Sequence, residues 1–129
     1  MKLAIVTGAQ GTLGTFFVKF FSERGYRCLG LSRSQKRTLL KNETFFQIGD
    51  ISDPETHKLI QDSIMKNIGS IKNKLTDLWL INNAAIQGEV GISSHLDRNS
   101  YEKCMNANFY FPLCLQNVIT KHYISNFNI

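Results

Sequence analysis

Residues 7–14 read Thr7-Gly8-Ala9-Gln10-Gly11-Thr12-Leu13-Gly14, with glycines spaced three apart between two apolar segments of different period. Lys2–Thr7 before them is a short, continuous apolar run, the pattern of a strand buried on both faces. After them Leu13, Phe16, Phe17, Phe20 and Phe21 recur at helical spacing, and Gly25 supplies a stop. The chain must therefore turn from a buried strand directly into a helix. Glycine at such a turn permits positive φ and lets the backbone approach an anion closely. The helix N-terminus points free N–H groups and a positive dipole end at the same place. A third glycine lets the helix pack on the strand.

The rest of the chain repeats this alternation. Arg27–Leu31 reads as a second strand and Thr44–Ile48 as a third. Asp53-Pro54-Glu55 is a helix start, with an acid at the N-cap and proline in the first helical position. Leu59, Ile60, Ile64 and Ile68 carry that helix to Gly69. Asp77–Ile81 reads as a fourth strand ending at Asn82-Asn83-Ala84-Ala85. Tyr101, Met105, Asn108, Pro112, Leu115 and Ile119 then fall on one helical stripe. Strands alternating with helices predict an α/β fold with a parallel sheet and helices on both faces. At 129 residues, with no linker or repeat, the chain forms a single domain over 1–129.

Composition excludes several classes. The chain is 43% hydrophobic and 19% charged, which is globular. Its apolar runs of four or five residues fall far short of the roughly 20 that a membrane helix needs, so no membrane partner is expected. The run Lys2–Val6 ends too early for a signal peptide, and a cytoplasmic location is expected. Cys28, Cys104 and Cys114 form no C-x-x-C and read as packed, reduced thiols. His57, His95 and His122 have no ligand-like neighbours, so no metal site is expected.

Charge is unevenly placed. Residues 19–41 hold Lys19, Arg24, Arg27, Arg33, Lys36, Arg37 and Lys41 against the single acid Glu23. Such a segment suits a phosphorylated small molecule or a nucleic acid. The phenylalanines beside it lie on the expected core face of the first helix, where they pack rather than stack on bases. No nucleic-acid partner is therefore expected.

The second strand refines the ligand. In dinucleotide-binding folds an acid at its end holds the ribose 2′-OH, whereas an arginine accommodates a 2′-phosphate. Here Ser32-Arg33 stands in that place, with Lys36 and Arg37 just beyond and no acid. NADP(H) is favoured over NAD(H).

These residues resemble the short-chain dehydrogenase/reductase family in four places, in order. Thr7–Gly14 looks like its glycine-rich turn. Gly49-Asp50-Ile51-Ser52-Asp53 looks like the acid-containing segment that contacts adenine. Asn82-Asn83-Ala84-Ala85 is similar to its NNAG motif, and Tyr101–Pro112 to the helix carrying its asparagine. Asn108 fits that place best, with Asn106 the alternative. Two positions depart from the pattern: Thr12 stands where the commoner form has glycine, and Ala85 ends the NNAG-like segment. The resemblance implies a Rossmann-like parallel sheet of strand order 3-2-1-4. It also implies cofactor contacts from Gly8, Gln10, Gly11, Thr12, Leu13, Gly14, Ser32, Arg33, Asp50, Ile51, Asn83, Ala84 and Ala85.

The family's reaction is hydride transfer between nicotinamide and a carbonyl or alcohol carbon, with a Tyr-x-x-x-Lys pair and a preceding serine. Four residues after Tyr26, Tyr101, Tyr110 and Tyr123 stand Gly30, Met105, Cys114 and Phe127, so no such pair is present. The resemblance covers about the first half of the family fold, truncated before the fifth strand, with Asn108 as an auxiliary to catalysis only. Three readings follow from this: a cofactor-binding half, a catalytically dead regulatory or partner-binding protein, and a truncated gene remnant. An edge left open at strand four, with Phe109, Leu113 and Val118 uncovered, implies self-association or a completing chain. Gly88 and Gly91 allow the loop Ile86–Ser94 to be mobile near the nicotinamide, or a plain surface loop. The substrate is not legible.

Overall fold

The computed structural model describes residues 1–35, 37–88 and 97–124. Lys36, the segment 89–96 with Gly91, Ser94 and His95, and residues 125–129 lie outside the described residues. The order of elements is β1 (Lys2–Thr7), α1 (Thr12–Ser22), β2 (Arg27–Ser32), β3 (Glu43–Gln47), α2 (Pro54–Gly69), a 3₁₀ turn (Lys72–Lys74), β4 (Asp77–Ile81), α3 (Arg98–Met105), a π turn (Asn106–Tyr110) and α4 (Phe111–Ile124). The four strands form one sheet in the order β3-β2-β1-β4, all neighbours parallel. This is the expected 3-2-1-4 arrangement.

Each face of the sheet buries its own core. On one face Leu3, Ile5, Leu29 and Leu31 pack against Ile60, Ile64 and Ile68 of α2 and Phe111, Leu115 and Ile119 of α4. On the other, Ala4, Val6 and Cys28 pack against Val18 and Phe21 of α1. The alternation along β1 and β2 is what separates the two sets. Asp53 caps α2 through its carboxylate, which accepts the Glu55 N–H at 3.0 Å, worth about 1 kcal/mol.

Three helical stripes differ from expectation. In α1 the buried positions are Gly14, Val18 and Phe21, whereas Leu13 and Phe16 are 63% and 59% exposed. Gly14 sits against the backbone of Gly8 and Ala9 in the turn after β1, and with that face of the helix turned inward Leu13 and Phe16 face out. The placement of these phenylalanines in the core is thus corrected for Phe16. In α2, Leu59 is likewise exposed, and Thr56 and His57 take buried positions.

In the last helical segment the buried stripe runs Ala107, Phe111, Leu115, Ile119. Tyr101, Met105 and Asn108 are exposed, so the stripe expected through them is displaced by one residue in its first half. Pro112 explains the shift. It has no N–H to donate to the Asn108 carbonyl, and its ring would crowd that group in a regular helix. The widened turn Asn106–Tyr110 sits at this place, with the Phe111 N–H donating to the Asn106 carbonyl five residues back.

Candidate dinucleotide-binding site

The cleft lies at the carboxyl ends of the strands, where parallel α/β sheets bind ligands. It has a volume of about 260 Å³ and is lined by residues from the ends of all four strands: Gly8, Gln10 and Gly11 after β1, Ser32 at the end of β2 and Arg33 after it, Ile48, Asp50 and Ile51 after β3, and Asn83–Ile86 after β4. Ten of the thirteen expected contact residues are therefore brought together. Thr12, Leu13 and Gly14 do not line it. Thr12 and Leu13 are exposed on the first turn of α1, and Gly14 is buried beneath the cleft.

The glycines have distinct reasons to be glycine. Gly8 has φ +65°, and a Cβ there would meet the Asn83 side chain at 2.9 Å and the Ala84 backbone at 3.2 Å. A Cβ on Gly14 would lie 2.0 Å from the Gly8 carbonyl oxygen, so strand and helix could not pack as they do. Gly11 has only one contact, at 3.4 Å, and lines the cleft. It caps α1 without a side-chain hydrogen bond, which leaves first-turn N–H groups for an anion.

The opposite wall is built by Thr7 and Asn83. The Thr7 hydroxyl accepts the N–H groups of Asn83 and Ala84 at 3.0 and 2.9 Å, and Asn83 Nδ2 donates to the Thr7 carbonyl at 3.1 Å. The third wall hangs on α2 and the π turn. His57 Nε2 donates to the Ile51 carbonyl at 2.7 Å, which fixes the proton on Nε2, and Asn106 Nδ2 donates to the Ser52 carbonyl at 3.1 Å. Asp50 accepts the Ser52 N–H at 2.9 Å. That hydrogen bond first, and the positive charges of Arg33 and Lys103 after it, hold the Asp50 carboxyl below its ordinary range.

Arg37 does not join Arg33 at the cleft. Its guanidinium makes a two-pronged pair with Glu43 at 2.7 and 2.8 Å, and the Glu43 side chain is fully buried. The same fork reaches the glycine turn, at Thr15 Oγ1 (3.3 Å) and the Ala9 carbonyl (3.4 Å). The Glu43 carboxylate thus lies against Gly30 in the middle of β2, matched by Arg37 rather than facing the cleft.

The family model for short chain dehydrogenases matches residues 2–126. The chain belongs to the short-chain dehydrogenase family. Solved structures of the family superpose well. A short-chain dehydrogenase/reductase from Burkholderia vietnamiensis is 21% identical with a TM-score of 0.77, covering 93% of this chain and 56% of that one. A 4-hydroxyisoleucine dehydrogenase complexed with NADH is 21% identical with a TM-score of 0.78, covering 98% and 51%. A metagenomic short-chain oxidoreductase in complex with NADP is 15% identical with a TM-score of 0.76, covering 97% and 57%. This short-chain dehydrogenase chain spans about half the length of these structures. No curated protein matches it.

Within the family framework Asn108 has a visible task. Its Oδ1 accepts the Ile86 N–H and its Nδ2 donates to the Ile86 carbonyl, both at 2.9 Å. It holds the loop after β4 without lining the cleft itself. Asn106, two residues earlier, holds the loop after β3, so Ala107 faces the core between two asparagines that reach opposite walls. Ile48 and Ile86 are cleft residues that sequence reasoning missed. Each directly adjoins a recognised motif, Gly49-Asp50 or Ala84-Ala85, and that adjacency was the available signal. No helix among the described residues is long and apolar enough to cross a membrane, and no metal-holding cluster is found among them.

Proposed function

We propose that this chain is the cofactor-binding part of a short-chain dehydrogenase that takes NADP(H) in preference to NAD(H). The observation that carries the reading is Arg33: it lies exposed just past β2, on the cleft, with Ser32 beside it, while the Glu43 carboxylate next to β2 is buried against Arg37. The residues present suit a dinucleotide. A glycine-lined cradle at the start of α1 receives a pyrophosphate through first-turn N–H groups. Asp50 and Ile51 bound the adenine end, and Asn83 to Ala85 form the far wall. Arg33 and Ser32 bind a 2′-phosphate by a charge-assisted hydrogen bond. A bound nicotinamide dinucleotide supplies a hydride donor or acceptor.

What the chain's own residues do is bind and orient. The family's proton-exchanging Tyr-x-x-x-Lys pair has no counterpart among the tyrosines here, so turnover requires residues from elsewhere. Asn108 serves such a site indirectly, by fixing Ile86. Exposed apolar residues support a second reading, in which the chain works in association with a copy of itself or a completing chain. Trp79 on β4, Phe109 in the π turn and Leu113 on α4 are 50%, 54% and 41% exposed, and β4 pairs only with β1 among the described strands. A cytoplasmic site of action accords with both readings.

Calorimetric titration with NADPH and with NADH tests the proposal. Saturable binding at least tenfold tighter for NADPH is expected. Equal affinities would remove the NADP(H) preference, and no binding by a folded chain would remove the cofactor role.

A further inference from the structure

Parallel strands are normally joined by a crossover of a dozen or more residues that contains a helix. β2 and β3 are parallel neighbours, yet only ten residues, 33–42, join them, and the described residues of that connection contain no helix. A short loop of this kind has no apolar helix face with which to seat itself on the sheet. The structure seats it with a charge pair instead. Arg37 comes from the loop, Glu43 from the first position of β3, and Gly30 of β2 leaves the room: a Cβ there would lie 3.1 Å from Glu43 Oε1. Glu43 Oε2 also accepts the Leu40 N–H at 3.1 Å, which draws the rest of the loop onto the same carboxylate.

The other side of Arg37 faces the glycine turn. Besides the Thr15 hydroxyl and the Ala9 carbonyl, its backbone N–H donates to Gln10 Oε1 at 3.1 Å. Three residues of the turn and the helix it opens (Ala9, Gln10 and Thr15) are thus tied through one arginine to β3. We propose that Arg37 is a positioning residue of the anion-binding turn, a strut that replaces the missing crossover helix and sets the turn's geometry, and that it is not a ligand of the 2′-phosphate. The proposal rests on the cofactor reading above for its ligands, but its mechanical part does not.

The two roles differ in sign. A 2′-phosphate ligand restrained by Glu43 would be released by Glu43→Gln, and NADPH binding would hold or tighten. A strut would be weakened by the same change, and NADPH and NADH would both bind more weakly by the same factor. Arg37→Lys keeps the charge but cannot span Glu43, Thr15 and Ala9 together. Thr15→Val leaves the ion pair whole and removes the turn-side hydroxyl together with that hydroxyl's own bond to the Ala9 carbonyl at 3.4 Å, so Thr15→Ser, which keeps both bonds, is its control. The experiment measures NADPH and NADH dissociation constants for the three variants and this control, with circular dichroism to verify folding. It also follows amide hydrogen exchange at Ala9, Gln10 and Gly11 in nucleotide-free protein.

The expected result is a loss of roughly tenfold for both nucleotides in Arg37→Lys and Glu43→Gln, the worth of one charge-assisted hydrogen bond. Their ratio stays unchanged, and Thr15→Val shows a smaller parallel loss. Exchange at Ala9–Gly11 accelerates in each of these three variants. A loss confined to NADPH, a gain in NADPH affinity on Glu43→Gln, or unchanged exchange at the turn would overturn the proposal. Should the unmodified chain bind neither nucleotide, the cofactor reading fails alone, and the exchange measurement still decides whether Arg37 holds the turn.

Discussion

Asn83 and Thr7 hold one another reciprocally: the Asn83 side chain donates to the Thr7 carbonyl at 3.1 Å, and the Thr7 hydroxyl accepts the Asn83 N–H at 3.0 Å. The pair joins the ends of β1 and β4 across 76 residues of chain and fixes the width of the cleft between them. Thr7→Val keeps the side chain's shape but leaves the Ala84 N–H without an acceptor, and leaves the Asn83 N–H only its bond to the Ile81 carbonyl at 3.1 Å. A loss of about 1–3 kcal/mol of stability is expected in urea unfolding, and Thr7→Ser should restore most of it. A Val variant as stable as the parent would show that these bonds are replaced by water at no cost.

The glycines of the turn should separate by substitution. Gly14→Ala drives a methyl group into the Gly8 carbonyl, and a destabilisation of about 3 kcal/mol or more, or failure to fold, is expected. Gly11→Ala meets only an ordinary contact, so its melting temperature should stay close to the parent's. Its methyl group lines the cleft, and nucleotide affinity should fall instead. Comparing the two variants by thermal melt and by titration checks both halves of this expectation.

On the proposed NADP(H) reading, Arg33→Gln removes the charge assigned to the 2′-phosphate without disturbing the Arg37–Glu43 pair. NADPH affinity is expected to drop about tenfold or more, the worth of a charge-assisted hydrogen bond, with NADH affinity unchanged. Competition between the two nucleotides for one site gives the ratio directly. An equal drop for both would assign Arg33 to the pyrophosphate.

Alkaline pH should weaken the fold through Cys28. Burial first, and the nearby Glu43 carboxylate second, push its thiol up to about 11 from an ordinary 9.0. Between those values the unfolded chain ionises while the folded one does not, so rising pH favours unfolding. The stability this thiol confers is full below about pH 9 and declines from pH 9 to pH 11. Tyr26, raised by its hydrogen bond to Asp77, acts in the same direction. Denaturation across that range should show a shallower decline in Cys28→Val than in the parent.

Association should depend on the uncovered apolar residues. Replacing Trp79, Phe109 and Leu113 together by serine is expected to shift sedimentation toward monomer at a given concentration while leaving the near-neutral circular dichroism spectrum intact. An unchanged distribution would place any self-association elsewhere.

The legibility of this fold in its sequence follows the range of the forces involved. β1 and β4 are short apolar runs closed abruptly by Gly8 and Asn82, so their limits could be read directly, and β2 and β3 were displaced by only a residue at their ends. The cleft's lining was legible wherever a motif marks a turn after a strand. Arg37 was not. Read along the chain it is one more positive charge beside Arg33, and its partner Glu43 acquires meaning only when β3 lies next to β2. The stripe through Tyr101 and Met105 failed for a different reason, because constant helical spacing does not survive the widened turn before Pro112. Leu13 and Phe16 show a third limit: an apolar residue at helical spacing need not face the core when a glycine dictates how close the helix must come.

β1 is made before the other three described strands but lies inside the sheet, between β2 and β4. Its neighbour β2 begins at residue 27 and its other neighbour β4 only at residue 77. At a synthesis rate of roughly 5–20 residues per second, β4 trails β1 by about 4–15 seconds. Throughout that interval the Thr7 hydroxyl has no Asn83 to receive, the far wall of the cleft does not exist, and one edge of β1 is open to pairing with other chains. The cleft therefore closes late, only when Asn83 and Ala84 have left the ribosome and met Thr7.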